Sequence, residues 1–236
     1  MTPSTSRRGS RAPSTSFGPL STVRYTVNGV DFDMVRVPPG RFIDGEGRTR
    51  RELLVSRPFE IGVTPVTQAL WWAVMWSSPS RFQGEDRPVE KVSWDDAQQL
   101  MVALANRGLP GFRLSTEAEW VWAARCGVPT RWVGADRAKA AAVVSSGQTA
   151  AVAGLSGSAV GALDLSGNVY EWVGDCCEQV PLAGVDVQGP ASGSHRLFRG
   201  GSWSGDPLLA RVAFRNFAVP GYRSSNLGVR LLRTSP

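Results

Sequence analysis

The fold of this chain is decided by the stretch Arg199-Gly-Gly-Ser-Trp203, which continues with Ala210-Arg-Val-Ala213 and closes with Asn226-Leu-Gly-Val-Arg-Leu-Leu232. Large apolar residues lie between these segments without sustained helical or strand periodicity, interleaved with Gly, Ser, Asn and Pro, which indicates loops. These residues are Leu208, Leu209, Phe214, Phe217, Val219 and Tyr222. Such side chains either pack into the core or form an apolar patch suited to protein recognition, and the pattern by itself favours neither.

Length and charge bound the class of protein. With 236 residues, 42% of them hydrophobic, the chain can bury one full core, which favours a single domain. The net charge of +6 is uneven, because residues 1–24 hold four of the 26 basic residues and no acid, leaving 22 basic against 20 acidic residues. Residues 25–236 are therefore nearly neutral, and no nucleic-acid partner is expected because such a partner needs a clustered basic face. The Ser-, Thr-, Pro- and Arg-rich composition of residues 1–24 predicts a disordered basic tail before a domain at 25–236.

The cysteines and the N-terminus predict the compartment. Cys126 and the adjacent Cys176 and Cys177 imply no disulfide framework, since neighbouring cysteines close only a strained ring and a third thiol is left over. A reducing compartment fits this pattern. No apolar segment of a classical signal peptide follows Arg7 and Arg8, and no stretch approaches the roughly 18 apolar residues of a membrane span. Neither classical export nor a membrane span is therefore expected.

A β-hairpin is predicted at the start of the domain. Apolar and polar residues alternate over residues 25–37 on both sides of Asn28-Gly29, a dipeptide suited to a type I′ turn. Residues 59–63 predict a further strand.

Three helices are predicted from their capping signals. Thr64, followed by a proline, is expected to cap the first helix. The second is expected to begin at Ser93 with Asp96 completing a capping box, and the third at Thr116 with Glu119.

Four segments resemble the formylglycine-generating enzyme-like branch of the C-type lectin fold. Residues 199–203 and 228–230 are similar to its frame R-G-G-S-[FWY] and G-[FV]-R. Residues 87–97 resemble R-P-V-x-x-V-S-W-x-x-A, and residues 112–125 resemble [FY]-R-L-P-T-E-A-E-W-E-x-A-A-R with Ser115 in place of the usual Pro. The resemblance extends from about residue 25 to the end. It implies an α+β fold, a single formylglycine-generating enzyme-type C-type lectin domain with a disordered N-terminal tail.

The residues that the copper-dependent oxidases of this family use are missing. Where those enzymes have two cysteines after the R-G-G-S-aromatic segment, this chain has Gly205 and Ala210, so it lacks the thiolate pair for Cu(I). The single histidine, His195, excludes a multi-histidine iron site. No catalytic residue is expected, and the scaffold is expected to serve a protein that is not an enzyme.

One turn is a candidate calcium site. Residues 163–172 resemble the family pattern G-L-x-D-M-x-G-N-V-x-E-W, which implies calcium ligands at Ser166, Gly167, Val169 and Glu171. The alternative is that Asn168 and Glu171 satisfy buried backbone amides. Apart from this calcium, no cofactor is expected.

The C-terminal frame is also similar to that of the variable proteins of diversity-generating retroelements, whose open positions are rewritten by adenine-specific mutagenesis. Each open residue here is encodable by the codon AAC after changes at its adenines alone, and none is Lys, Glu, Gln, Met or Trp. The resemblance implies that the open positions bind the ligand. They are Ser204, Gly205, Asp206, Leu208, Leu209, Phe214, Asn216, Phe217, Ala218, Val219, Tyr222, Ser224, Ser225 and Asn226.

These observations favour a non-catalytic ligand-binding protein whose variable C-terminal region, about residues 199–231, displays a diversified surface to a macromolecular ligand, in the first place a protein. Two alternatives stay open: a degenerate or divergent formylglycine-generating-type enzyme acting on protein cysteine, and a structural domain of a larger assembly. A location in the cytoplasm, or on a phage or other assembly, is expected.

Overall fold

The computed structural model of the chain describes residues 21–137, 143–154, 157–177 and 182–234. Within these ranges helices and short strands mix, as the predicted α+β class requires. The helices are α1 (Gln68–Met75), α2 (Trp94–Ala105) and α3 (Glu117–Arg125), with 3-10 turns at Gly47–Thr49 and Pro207–Ala210. The strands are β1 (Thr22–Val27), β2 (Val30–Val37), β3 (Gly40–Asp44), β4 (Arg51–Val55), β5 (Phe59–Gly62), β6 (Phe112–Arg113), β7 (Tyr170–Cys176), β8 (Gly184–Val185), β9 (Arg196–Arg199), β10 (Asn216–Ala218), β11 (Leu227–Val229) and β12 (Leu232–Thr234).

The strands form three sheets. One has the order β1-β2-β5-β12-β6, a second β10-β9-β7-β11, and a third β3-β4-β8. Strand β12 pairs antiparallel with both β5 and β6, so the C-terminal strand lies inside the first sheet. Strand β11 runs parallel to β7 in the second sheet. The last segment of the chain therefore joins two sheets, and the loops before it are held at both ends.

The predicted N-terminal hairpin is confirmed. Asn28 and Gly29 have φ angles of 49° and 81°, both in the left-handed region that a type I′ turn requires. Strand β1 begins at Thr22, three residues before the predicted start of the domain, since its ladder with β2 continues to the pair of Thr22 with Val35. Of the predicted tail 1–24, residues 1–20 lie outside the described residues.

The second and third helix starts are confirmed. Ser93 caps α2 and Thr116 caps α3, and in both helices the predicted carboxylate completes the capping box. The predicted start of the first helix at Thr64 is wrong, because Thr67 is the N-cap of α1. The residue before Thr67 is held in extended backbone: the amide of Val66 donates to the carbonyl of Val229 and its carbonyl accepts from Val89. Backbone pairing of Val66 to β11 and to Val89 thus keeps this residue out of the helix.

The interior consists of two main apolar clusters. The first surrounds Trp120 and Trp122 of α3. The second packs α1 and α2 against Trp172 of β7 and Val229 of β11. Because strand β11 belongs to this second cluster, the end of the variable region is anchored in the core.

Candidate ligand-binding surface

The fourteen open positions all reach the surface. None of these residues is buried, and the largest exposed side chains, Leu208, Phe217, Val219 and Tyr222, are 51%, 53%, 50% and 45% exposed. Most of the intervening frame is buried instead. The buried frame residues are Arg199, Gly200, Gly201, Ser202, Ala210, Val212, Leu227, Gly228, Val229, Arg230 and Leu231. Of the two interpretations of the apolar loop residues, core and surface patch, the structure therefore favours the patch.

The first part of the surface is a capped 3-10 turn. The carboxylate of Asp206 accepts a hydrogen bond from the amide of Leu208 at 2.7 Å. The turn ends at Ala210, which is buried against the backbone of Gly201, and it leaves Leu208 in solvent. The hydroxyl of Ser204 and the side-chain amide of Asn226 lie 3.1 Å apart, so the two ends of the variable region meet here.

The middle part is strand β10 at the edge of the second sheet. Phe217 pairs with Leu197 of β9, and although Leu197 is buried, the ring of Phe217 on this three-residue edge strand is exposed. The ring of His195 lies edge-to-face with Phe217, with centroids 5.5 Å apart. His195 lies outside the variable region, and nothing in the sequence placed it beside this surface.

The last part, residues 219–226, is fastened to the start of helix α2. The amide of Trp94 donates to the carbonyl of Pro220 at 2.9 Å, and the amide of Lys91 donates to Ser224 at 3.0 Å. The side chain of Arg223 makes two 2.7 Å hydrogen bonds to the carboxylate of Asp96. These bonds hold the loop while Tyr222 remains exposed.

Two aromatic residues are less clearly divided between frame and surface than the sequence suggests. Trp203, a frame residue, is only partly buried; its indole N–H donates to the carbonyl of Ser225 at 2.9 Å and its ring meets Phe82 edge-on. Phe214, an open position, is partly buried against the second core cluster. Phe214 therefore contributes to packing as well as to the surface.

A buried charge cluster lies beneath the surface. The carboxylate of Glu117 at the start of α3 accepts from Arg51 at 2.8 Å and from Arg215 at 2.6 Å, and lies 3.3 Å from Arg199. Burial opposes ionisation, yet the charges of Arg199, Arg215 and Arg51 lower the pKa of Glu117 to about 2. No local sequence pattern indicates this cluster, because the partners of Glu117 lie 66 to 98 positions away.

A second ion pair holds the end of the variable region. Arg230 and Glu171 are both buried, and the guanidinium lies 2.7 Å from the carboxylate. The other donors of Arg230 reach the carbonyls of Gly62, Val63 and Leu163 at 2.8, 3.0 and 2.6 Å. All five N–H groups of this guanidinium are thus used, and one side chain ties β11 to the exit of β5 and to the turn before β7.

This pair does not fit the calcium site that the family resemblance implies at Ser166, Gly167, Val169 and Glu171. Both carboxylate oxygens of Glu171 are occupied by Arg230 and by the indole N–H of Trp120, the latter at 2.7 Å. A calcium ion there would meet a guanidinium of like charge. Of the alternative roles, that of Asn168 is confirmed, since its side chain bonds both the amide and the carbonyl of Ala150. That of Glu171 is wrong, because its carboxylate accepts from side chains and not from backbone amides.

We therefore predict that calcium leaves the protein's melting temperature unchanged. An ion that does not bind the folded state preferentially cannot stabilise it. The measurement is a thermal melt in millimolar calcium and again in chelator. A rise in melting temperature with calcium that the Glu171→Gln variant abolishes would contradict the assignment of Glu171 to Arg230.

The exposed rings give a second prediction. Phe217→Ala and Tyr222→Ala should each lower the free energy of unfolding by less than about 1 kcal/mol, because rings already in solvent lose little burial. The matched control is Phe198→Ala, which removes a ring only 6% exposed and should cost about 3–5 kcal/mol. Urea denaturation of the three variants measures this. Equal losses for Phe217 and Phe198 would show that Phe217 belongs to the core.

The residues at the oxidase cysteine positions and the Cys126 thiol bear on catalysis and metal binding. Gly205 lies partly exposed in the turn, and Ala210, where the oxidases have a second thiolate, is packed in the interior. Burial raises the pKa of the Cys126 thiol to about 12, which makes it unreactive. Among the described residues, no three His, Cys, Asp or Glu side chains converge in a way that could hold a metal ion. In the same parts of the chain, no helix has the length and apolar character needed to cross a membrane.

Comparison with known proteins agrees with this geometry. Variable protein 1 of Treponema denticola superimposes with a TM-score of 0.84 at 30% sequence identity, over 91% of this chain and 99% of that one. The formylglycine-generating enzyme of Streptomyces coelicolor is 30% identical over 211 residues, which are 75% of this chain and 65% of the enzyme. The chaperone protein LppX of Paenibacillus barcinonensis is 26% identical over 261 aligned residues, covering 87% of this chain and 90% of LppX.

These matches confirm the resemblance to variable proteins and to the formylglycine-generating enzyme-like form of the C-type lectin fold. The sulfatase-modifying factor enzyme 1-like domain model matches residues 26–235, almost the whole of the predicted domain. The chain therefore belongs to the family of sulfatase-modifying factor enzyme 1-like domains.

Proposed function

We propose that this protein is a non-catalytic binding protein that presents its open C-terminal positions as a diversified surface to a macromolecular ligand. The observation that carries the proposal is the division of burial within residues 199–231, where no open position is buried while most of the frame is. A fixed interior lets surface residues change with little effect on folding. The similarity to variable protein 1 supports the same function.

The chemistry of the surface favours a protein as the ligand. Leu208, Phe217, Val219 and Tyr222 together expose apolar and aromatic area, and such residues are typical anchors of protein interfaces. The nearest frame arginines are already paired within the fold: Arg211 with Glu46, Arg215 with Glu117 and Arg223 with Asp96. Their charge is largely compensated, so the surface does not resemble a phosphate-binding face.

A display library tests the proposal without knowledge of the natural ligand. The fourteen open positions are randomised with codons that differ from AAC only at the two adenines, and the library is selected against hen lysozyme as a defined protein probe. We expect most members to fold and specific binders to emerge. The control library randomises an equal number of positions on β1 to β4 that are not buried. A variable library that is mostly unfolded, or that yields binders no more often than the control, would contradict the proposal.

The neighbouring DNA gives an independent test. A near-copy of the final coding segment, with adenines at the open positions and a reverse transcriptase gene beside it, is expected.

The alternative enzymatic function predicts a different result. Because Gly205 and Ala210 stand where the oxidases have cysteines, we predict neither tight Cu(I) binding nor conversion of a cysteine peptide to formylglycine. The Streptomyces coelicolor enzyme, assayed in parallel, is the positive control. Stoichiometric copper uptake, or conversion of the peptide by this chain, would support the enzymatic function instead.

A further inference from the structure

A second exposed apolar surface lies on helix α1 and has no part in the variable region. Trp72 and Trp76, one helical turn apart, are 51% and 65% exposed and pack edge-to-face with ring centroids 6.2 Å apart. We call these two side chains the tryptophan patch. Together they expose roughly 300 Å² of apolar surface, which is in the range of functional patches on monomeric proteins.

The backbone at the end of this patch is strained. Trp76 is the C-cap residue of α1 and has a φ angle of 53°, in the left-handed region where helices usually end with Gly or Asn. Its amide still donates to the carbonyl of Trp72 at 3.0 Å, so the conformation is part of the helix end. Most of the Trp76 ring is nevertheless in solvent, so the left-handed residue presents its side chain away from the fold.

We propose that the tryptophan patch binds a second copy of this chain across a two-fold axis. The first argument is charge. Residues 68–80 contain no Asp, Glu, Lys or Arg, whereas the chain as a whole carries +6. Two copies can therefore approach at this patch without the repulsion that a like-charged surface would cause.

The second argument is geometry. A two-fold axis brings residue i of one copy against residue j of the other and j against i. With two antiparallel copies of α1, the one-turn spacing would set Trp72 of each chain beside Trp76 of the other. The edge-to-face arrangement leaves both a ring face and a ring edge available for such pairing.

The third argument is area and surroundings. A stable interface buries about 800 Å² on each partner, so the patch supplies the apolar centre and a polar rim must supply the rest. Neutral side chains lie next to it, including Ser78, whose hydroxyl is 3.2 Å from the side-chain oxygen of Gln83. Val102 of the adjacent helix α2 is a further exposed apolar side chain, 61% exposed.

Pairing through α1 would use a different helix from the one that anchors the variable region. The variable loop is attached at Asp96 near the start of α2, and Val102 is about 9 Å further along that helix. If the proposed binding function holds, each dimer would then present two variable surfaces and gain affinity for a multivalent ligand. The dimer itself does not depend on that function.

Sedimentation velocity of the full chain tests the proposal, without any ligand, between about 1 and about 100 µM. The test variant is Trp72→Gln with Trp76→Asn, in which Gln suits a helix and Asn suits the left-handed position. The matched control is Leu208→Gln with Phe217→Thr, which removes similarly exposed apolar side chains from the variable surface. We expect the wild type and the control to dimerise in the micromolar range, and the tryptophan variant to dimerise at least about 10-fold more weakly.

A second variant guards against misfolding. Trp76→Gly removes one ring and also the left-handed strain, so it should melt no lower than the wild-type monomer and should also dimerise more weakly. A wild type that stays monomeric throughout, or a dimer that survives loss of both tryptophans, would overturn the proposal. Loss of the dimer only in the control would assign self-association to the variable surface and would also overturn it.

Discussion

Arg230→Met should lower the free energy of unfolding by about 3–5 kcal/mol. The substitution keeps the volume of the arginine stem but leaves the Glu171 carboxylate, 1% exposed, without its charge partner. It also removes donors from the carbonyls of Gly62, Val63 and Leu163. A buried charge without a partner is far more costly than an absent pair. Urea denaturation followed by circular dichroism measures the loss.

Arg223→Met is the matched control for this experiment. Arg223 also pairs with a carboxylate through two hydrogen bonds, but its side chain is 52% exposed and water can replace the partner. Its loss should cost less than about 1 kcal/mol. Restoring neutrality at the buried site, with Glu171→Gln added to Arg230→Met, should recover part of the stability. Equal losses for the two arginine variants would show that burial does not govern these pairs.

Gly201→Ala should lower the free energy of unfolding by about 2–5 kcal/mol, because it adds both left-handed backbone strain and overpacking. The φ angle of Gly201 is 74°, and a Cβ atom added to it would lie 2.6 Å from the Cβ of Ala210. Ala210 is buried and closes the 3-10 turn that presents Leu208. The added methyl must therefore move this turn. Thermal and urea denaturation measure the loss, and in the folded fraction the exposure of the turn to protease should rise.

Gly221→Ala is the control for the glycine frame. Gly221 lies in residues 219–226 of the variable region, and an added Cβ would meet no atom within 4 Å. The change should therefore leave stability within about 0.5 kcal/mol of the wild type. A similar small effect at Gly201 would mean that the turn at Ala210 adapts freely, and the idea of a rigid frame under changeable residues would fail.

The variable region combines a buried frame with exposed open positions. Buried frame residues fix the ends and the middle of residues 199–231, and the open positions fill the intervals between them. The buried pairs of Glu117 and Glu171 reach this region from α3 and β7 and hold it to the two halves of the core. Stability is thereby concentrated in residues that the proposed diversification leaves unchanged.

Local chemistry made much of the fold readable from the sequence. The Asn28-Gly29 turn and the capping boxes at Ser93 and Thr116 follow from interactions within a few residues, and all three are present. The first helix shows the limit of such reasoning. Thr64 is a good cap by local rules, but backbone bonds from Val66 to strands far along the chain delay the helix to Thr67.

The site divides in the same way. The sequence determined which positions form the frame and which are open through its resemblance to the variable proteins, because the frame motifs occur in the same order. Only the tertiary structure decided that Glu171 pairs with Arg230, 59 positions away, where the family pattern implied calcium. Likewise, only the fold placed His195 beside Phe217 and partly buried Phe214 against the core. The physical reason is range: caps and turns are set by neighbours in sequence, whereas the partner of a buried charge and the exposure of a ring depend on which distant segments the fold brings together.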